Sequence, residues 1–150
     1  MAKTGAATLL AAALSLCAAG AHALGSDHGY DGFKTPDAVS WVQLCGTWGK
    51  DHQGTYRVIH ASQDTQSFLY VQWMARDANG RLNAAHTAAI SELDNDHAEI
   101  VLADLGCRAT PRGIVVTARA ASGHDDKLRR VTIEAGPAPG QYRYRAQRTR

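Results

Sequence analysis

Residues 54–75, GTYRVIHASQDTQSFLYVQWMA, decide the fold class, because two strand-like runs flank a polar break. The first run, residues 55–60, contains a tyrosine, a valine and an isoleucine. The second, residues 68–74, contains large apolar or aromatic residues at every position except Gln72. Side chains that are β-branched or aromatic pack well on a pleated surface. The stretch therefore predicts two strands of a hairpin, with residues 62–67 in the turn.

The second run is apolar on both of its faces. Phe68, Tyr70, Gln72 and Met74 alternate with Leu69, Val71 and Trp73, and alternate residues of a strand point to opposite sides. A strand of this kind is either central and covered on two sides, or it meets a partner with one face.

Further strand-like segments follow at similar spacing, separated by turns rich in Gly, Pro, Asn and Asp. Residues 82–90 alternate but are rich in alanine, so a helix is the alternative there. Thr35, Pro36 and Asp37 form a helix-start signal, which favours a short helix or turn before the first strand. The other predicted strands are residues 41–48, 98–105, 114–120, 127–134 and 141–147. This spacing predicts an all-β fold of about seven or eight strands, an antiparallel meander forming a small barrel or sandwich.

The N-terminus has the organisation of a bacterial secretory signal peptide. Lys3 precedes an apolar run at residues 9–19, and Ala21 and Ala23 stand at the positions that signal peptidase requires. The apolar run is too short to span a bilayer. A lipoprotein signal ending at Cys17 is the alternative, although Leu16 stands where a small residue is needed. The sequence predicts a signal peptide at 1–23, a flexible mature N-terminus at 24–36, a single β-domain at 37–150, and export to the periplasm or beyond.

Two cysteines follow the predicted cleavage site, Cys45 and Cys107. In an oxidising compartment two cysteines usually pair, and two separate buried thiols are the alternative. On a chain-entropy model, closing a loop of this length contributes at most about 4 kcal/mol. Nothing resembles a Cys-x-x-Cys motif, so redox catalysis is not expected.

Charge is divided unevenly along the chain. Residues 24–107 contain 5 basic and 11 acidic residues, whereas residues 108–150 contain 10 basic and 3 acidic residues. In the last strand Tyr142 and Tyr144 point to one side, and Arg143 and Arg145 to the other. If the preceding strands are neighbours, several guanidinium groups share one side of the sheet. The residues concerned are Arg112, Arg119, Arg129, Arg130, Arg143 and Arg145.

Guanidinium groups match carboxylates and phosphates, so this stripe predicts a site for a protein or an anionic envelope component. The candidate binding residues are Arg119, Arg129, Arg130, Arg143 and Arg145. The alternative is a solvated face whose charges protect an edge strand from aggregation. Nucleic acid is not an expected partner of an exported protein with a net charge near zero.

Motifs for catalysis are not found in the sequence. It contains no Gly-x-Ser-x-Gly elbow, no His-Glu-x-x-His motif and no phosphate-binding glycine loop. We therefore expect no enzymatic activity, no cofactor and no metal. The alternative is a hydrolase or metal-binding protein built from turn residues, for which His52, His97 and His124 stand beside aspartates. A structural subunit of an envelope assembly is a third hypothesis, favoured if residues 68–74 form an exposed edge.

The general plan resembles the small exported β-barrel proteins of Gram-negative bacteria, such as the periplasmic inhibitors of C-type lysozyme. The resemblance covers size, signal peptide, a single disulfide and β-richness, and it carries no motif or functional residue. It implies an inhibitor-like binding protein. The leading hypothesis is therefore a non-enzymatic exported β-domain.

Overall fold

Eight strands dominate the computed structural model, which describes residues 39–94, 99–125 and 127–149. A 3₁₀ turn at Lys50–His52 is the one helical element among these residues. The strands are β1 (Val39–Trp48), β2 (Gly54–Gln63), β3 (Gln66–Arg76), β4 (Leu82–Ala89), β5 (Ile100–Thr110), β6 (Gly113–Ser122), β7 (Leu128–Ala135) and β8 (Tyr142–Arg148).

The strands form two four-stranded antiparallel sheets, each a simple meander. The first sheet has the order β1-β2-β3-β4, and the second has the order β5-β6-β7-β8. Every described pairing joins strands that follow each other in sequence, and none joins the two sheets. The all-β antiparallel prediction is confirmed.

The strands extend further than their sequence patterns indicate. The polar break shrinks to Asp64 and Thr65, because Ser62 pairs with Ser67 and Gln63 with Gln66. Asp64 adopts a φ of 51°, which Asp tolerates in tight turns. Residues 82–89 form a strand despite their alanines, since β4 pairs with the strongly apolar β3. The signal peptide, residues 24–36, the helix-start signal and residues 95–98 lie outside the described residues.

The main core fills the space between the inward faces of the two sheets. From the first sheet come Tyr56, Val58, Leu69, Val71 and Trp73, and from the second come Ile114, Val116, Val131 and Ile133. All nine are at most 1% exposed. The two sheets are also joined through backbone at Gly136, whose carbonyl accepts hydrogen bonds from Tyr56 Oη and Trp73 Nε1, each at 3.0 Å.

The middle of the outward face of the first sheet is buried as well, whereas Val42 and Leu44 at its β1 edge are 50% and 55% exposed. Ile59, Ala61, Phe68 and Tyr70 form a second apolar cluster and are 0–6% exposed. β3 lies between β2 and β4, so it is a central strand covered on both faces. The condition that would have favoured a structural subunit, β3 as an exposed edge, is not met.

A disulfide links the edges of the two sheets. Cys45 on β1 is bonded to Cys107 on β5, with the two Cα atoms 6.2 Å apart and a sequence separation of 62. The predicted cysteine pair is therefore present. No helix among the described residues is both long enough and apolar enough to cross a membrane.

Candidate functional site

The outward face of the second sheet carries most arginines of the basic C-terminal part. Facing residues of antiparallel strands project to the same side, and Val116, Val131 and Ile133 mark the inward positions. The residues between them therefore point outward. The outward arginines, which we name the arginine face, are Arg108 on β5, Arg119 on β6, Arg130 on β7, and Arg143 and Arg145 on β8. All five are exposed.

Two of these arginines face each other across a strand pair. Arg119 on β6 is the direct partner of Arg130 on β7. Directly opposite side chains have Cβ atoms about 5 Å apart, and like charges in such positions destabilise a sheet. The Asp104 carboxylate forms an ion pair with Arg119. Asp104 lies in the bulge of β5 with a φ of 53°, so a bulge residue supplies the acid that pairs with Arg119.

Acidic partners neutralise only part of the arginine face. Glu134 lies opposite Arg143, and its Oε1 is 3.6 Å from Nη1 of Arg145. Both ion pairs on this face are well exposed, and exposed pairs contribute little to stability. Within residues 39–94, 99–125 and 127–149, no acidic side chain forms an ion pair with Arg108, Arg130 or Arg143. The face thus carries five guanidinium groups against two carboxylates.

Hydroxyl groups occupy the middle of the same face. Thr117 on β6 is the direct partner of Thr132 on β7, one row along from the Arg119 and Arg130 pair. Thr132 is also opposite Arg145 on β8. Three guanidinium groups therefore surround a pair of threonines, an arrangement of donors that suits an oxyanion.

Arg129, the remaining predicted binding residue, lies on the opposite side of the sheet. It pairs with the buried Ala120 of β6. Its side chain points away from that of Arg130, because consecutive side chains of a strand alternate between the two faces. Its Nη2 donates a hydrogen bond of 2.9 Å to Asp125 Oδ2. The pKa of Asp125 is lowered, first by the backbone N–H of Lys127 and then by the charges of Lys127 and Arg129. Arg129 thus fixes the β6–β7 turn and does not belong to the arginine face.

Arg108 belongs to the arginine face but was not among the predicted residues. The pattern of residues 98–105 predicts a strand that ends before the cysteine, whereas β5 continues to Thr110. A register shift between Ala103 and Gly106 interrupts the alternation that would have revealed the continuation. The disulfide still indicates the direction of Arg108, because Cys107 points inward and the next residue of the strand must then point outward.

A depression of about 620 Å³ opens at the end of the second sheet where the β5–β6 and β7–β8 turns lie side by side. We name it the end depression. Arg112 lines it from the first turn, and Arg143 lines it from β8, so that it adjoins the arginine face. The other lining residues are Thr110, Ile114, Val115, Glu134, Ala135, Gly136, Pro137, Gln141 and Tyr142.

Both walls of the end depression are fixed by hydrogen bonds. In the β5–β6 turn, the backbone N–H of Arg112 donates to Thr110 Oγ1 at 3.3 Å. In the β7–β8 turn, Gln141 N–H donates to the carbonyl of Ala138, and Gly136 is held by the buried Tyr56 and Trp73. Gly113 permits the close approach of the two turns, since a Cβ there would lie 2.0 Å from the carbonyl oxygen of Ala135.

The histidines of the turns do not converge in the part of the chain that the structure describes. His52 interacts with Thr47 through Nδ1 at 3.2 Å, and His124 is exposed in the β6–β7 turn. His28 and His97 lie outside the described residues. No group of three or more His, Cys, Asp or Glu side chains with the geometry to hold a metal ion occurs among residues 39–94, 99–125 and 127–149.

His60, which lies on a predicted strand and was expected to be either a hydrogen-bonded residue or a ligand, is buried in a polar network. Its Nδ1 lies 2.7 Å from Ser40 Oγ, and its Nε2 lies 3.0 Å from Ser67 Oγ. Ser67 Oγ also accepts a hydrogen bond of 3.0 Å from the backbone N–H of Leu102, which connects the first sheet to β5. Burial disfavours the charged imidazole and so lowers the pKa of His60. His60 and Ser67 are at most 8% exposed, whereas Ser40 at the outer end of the network is exposed, and the network joins the first sheet to β5.

Comparison with known proteins adds no functional assignment. No family model matches the chain, and no curated protein or solved structure is significantly similar to it.

Proposed function

We propose that this protein is an exported, non-enzymatic binding domain that holds an anionic partner on its arginine face. The N-terminal signal pattern and the disulfide between Cys45 and Cys107 support export. The partner is an acidic protein or an anionic envelope component, and its oxyanion groups are the feature that the face recognises.

The observation that carries the proposal is the direct opposition of Arg119 and Arg130 on an exposed sheet. Two guanidinium groups in that position repel each other, and only Arg119 has an acidic partner among the described residues. Fold stability therefore does not account for the pair. A bound oxyanion between them would convert the repulsion into two charge-assisted hydrogen bonds.

The spacing of the face suits repeated anionic groups rather than one. Neighbouring strands lie about 4.8 Å apart, and alternate residues along a strand lie about 6.8 Å apart. Arg119, Arg130 and Arg145 surround the threonine pair, and Arg143 lies two residues before Arg145 on β8. The result is a band of guanidinium groups that runs diagonally from β6 to β8.

The experiment is a binding titration of the disulfide-bonded protein with three probes of comparable charge. The probes are a polyglutamate peptide, a sulfated heparin oligosaccharide and vesicles containing phosphatidylglycerol. The test variant is Arg119→Gln/Arg130→Gln. The control is Lys50→Gln/Arg81→Gln, which removes the same net charge from exposed residues of the first sheet and its turns.

We expect at least one probe to bind in a salt-dependent manner, with a loss of about tenfold or more in the test variant, because two charge-assisted contacts disappear. The control is expected to bind within about twofold of the parent protein. Equal losses in both variants would show that only net charge matters, and no binding of any probe would overturn the proposal. The probe that binds identifies the class of partner.

A further inference from the structure

We infer that the end depression is a separate subsite for a single oxyanion group, held between Arg112 and Arg143. The inference deepens the proposed function and rests on it in one respect, since Arg143 belongs to both the depression and the arginine face. The ligand class is a carboxylate, sulfate or phosphate at the end of a chain, or on a small molecule.

The shape of the end depression separates it from the arginine face. The arginine face is the surface of a pleated sheet, and groups bound there stay accessible to water. The depression is a recess of about 620 Å³ whose lining combines the apolar residues Ile114, Val115 and Ala135 with the two arginines. A recess lined by apolar residues and a few polar groups is typical of a ligand pocket.

The charges of the end depression favour an anion. Arg112 and Arg143 form no ion pair with any residue of the described chain, and Glu134 is the only acidic residue in the lining. The Glu134 carboxylate lies 3.6 Å from Nη1 of Arg145, which is not a lining residue of the depression. Two guanidinium forks are therefore available to one oxyanion, and such forks bind carboxylate, sulfate and phosphate oxygens in pairs.

The walls of the end depression are positioned before any ligand binds. Gly136 lies in the β7–β8 turn and is anchored by two side chains that are 0% exposed, Tyr56 and Trp73. Tyr142, another lining residue, is held by Glu92 through a hydrogen bond of 2.9 Å from its hydroxyl group. A site that is already ordered loses less entropy on binding, which favours small ligands as well as polymers.

The test uses small probes that cannot span the arginine face, namely citrate, inorganic sulfate and inorganic phosphate. Binding is followed by NMR, through the backbone amides of the two turns and the Nε–H signals of the arginines. We expect one or more probes to shift the signals of Arg112 and Arg143 in a saturable way. The expected loss of affinity in Arg112→Gln is about tenfold. The control Arg81→Gln, in an exposed turn of the first sheet, should bind the small probe like the parent protein.

The outcomes separate this inference from the proposed function. If the long probes bind through Arg119 and Arg130 but the small anions leave Arg112 unmoved at high millimolar concentration, the subsite is refuted and the arginine face stands. If the small anions bind at Arg112 and no long probe depends on Arg119, the subsite stands and the proposed function fails. Equal shifts at all exposed arginines would indicate screening by salt and would overturn the subsite.

Discussion

The outward faces of the two sheets are built by the same alternation of side chains and have opposite character. The first sheet turns a cluster around Ile59 and Phe68 outward, and this cluster is buried. The second sheet turns Arg119, Arg130 and three other arginines outward, and these are exposed. Apolar burial explains the composition of the first face through stability. The second face opposes like charges, and a sheet gains no stability from that arrangement.

Stability explains the outward face of the first sheet but not that of the second. Each sheet already has one face in the main core, with Val71 and Trp73 on one side and Val116 and Ile133 on the other. The first sheet gains further stability from the buried cluster on its outward face, whereas the outward face of the second sheet is exposed. Binding is therefore expected on the second sheet.

The largest expected effect is a difference in stability between two variants, each of which truncates one apolar side chain on the outward face of one sheet. Ile59→Ala should lower the free energy of unfolding by about 2–5 kcal/mol, because the side chain is 0% exposed. Leu128→Ala, on the outward face of the second sheet and 48% exposed, should change it by less than about 0.5 kcal/mol. Urea unfolding measures both. A loss of similar size in the two variants would contradict the contrast between the faces.

A smaller effect concerns pH. Burial lowers the pKa of His60 in the folded protein, so the unfolded chain binds a proton more readily. The stabilisation is complete above the ordinary histidine pKa of about 6.5, and it is lost as the pH falls through that value toward the lowered pKa. Urea unfolding at several pH values between about 7.5 and 5 should show this loss. The loss of stability at low pH should shrink in His60→Gln. It should persist in the control His124→Gln, which changes an exposed turn of the second sheet. Identical pH profiles in all three proteins would refute the assignment to His60.

The smallest expected effect comes from the arginine face itself. Arg130→Thr removes one of two opposed guanidinium groups and places a β-branched residue in β7. The free energy of unfolding should stay the same or rise by up to about 0.5 kcal/mol, while binding of the long anionic probe weakens. Thermal unfolding and the binding titration are measured on the same preparation. A stability loss above about 1 kcal/mol would show that Arg130 supports the fold.

Much of the fold could be predicted from the sequence because its signals are local. The Asn79–Gly80 turn, the alternation in β6 and β8, and the apolar character of β3 each follow from short-range geometry. The disulfide between Cys45 and Cys107 follows from a count of two cysteines behind a signal peptide. The separation of the eight strands into two sheets between β4 and β5 could not be predicted, because the sequence between these two strands resembles that of the other turns.

The candidate site could be predicted only in part, for reasons of register. Arg119, Arg130, Arg143 and Arg145 share a face because β6, β7 and β8 pair without a shift. Arg129 was grouped with its neighbour Arg130, although adjacent residues must point apart. Arg108 was missed behind the β5 bulge. The end depression depends on two turns that are distant in sequence, so no local pattern indicates it.

The most direct test of the binding surface is an NMR map of the disulfide-bonded protein during titration with the long anionic probe that binds in the assay above. We expect the Nε–H signals of Arg119, Arg130 and Arg145 to move first, together with the amides of β6, β7 and β8. The amides of β2 and β3 should stay in place. Shifts centred on the first sheet, or spread evenly over all exposed basic residues, would contradict a binding site on the arginine face.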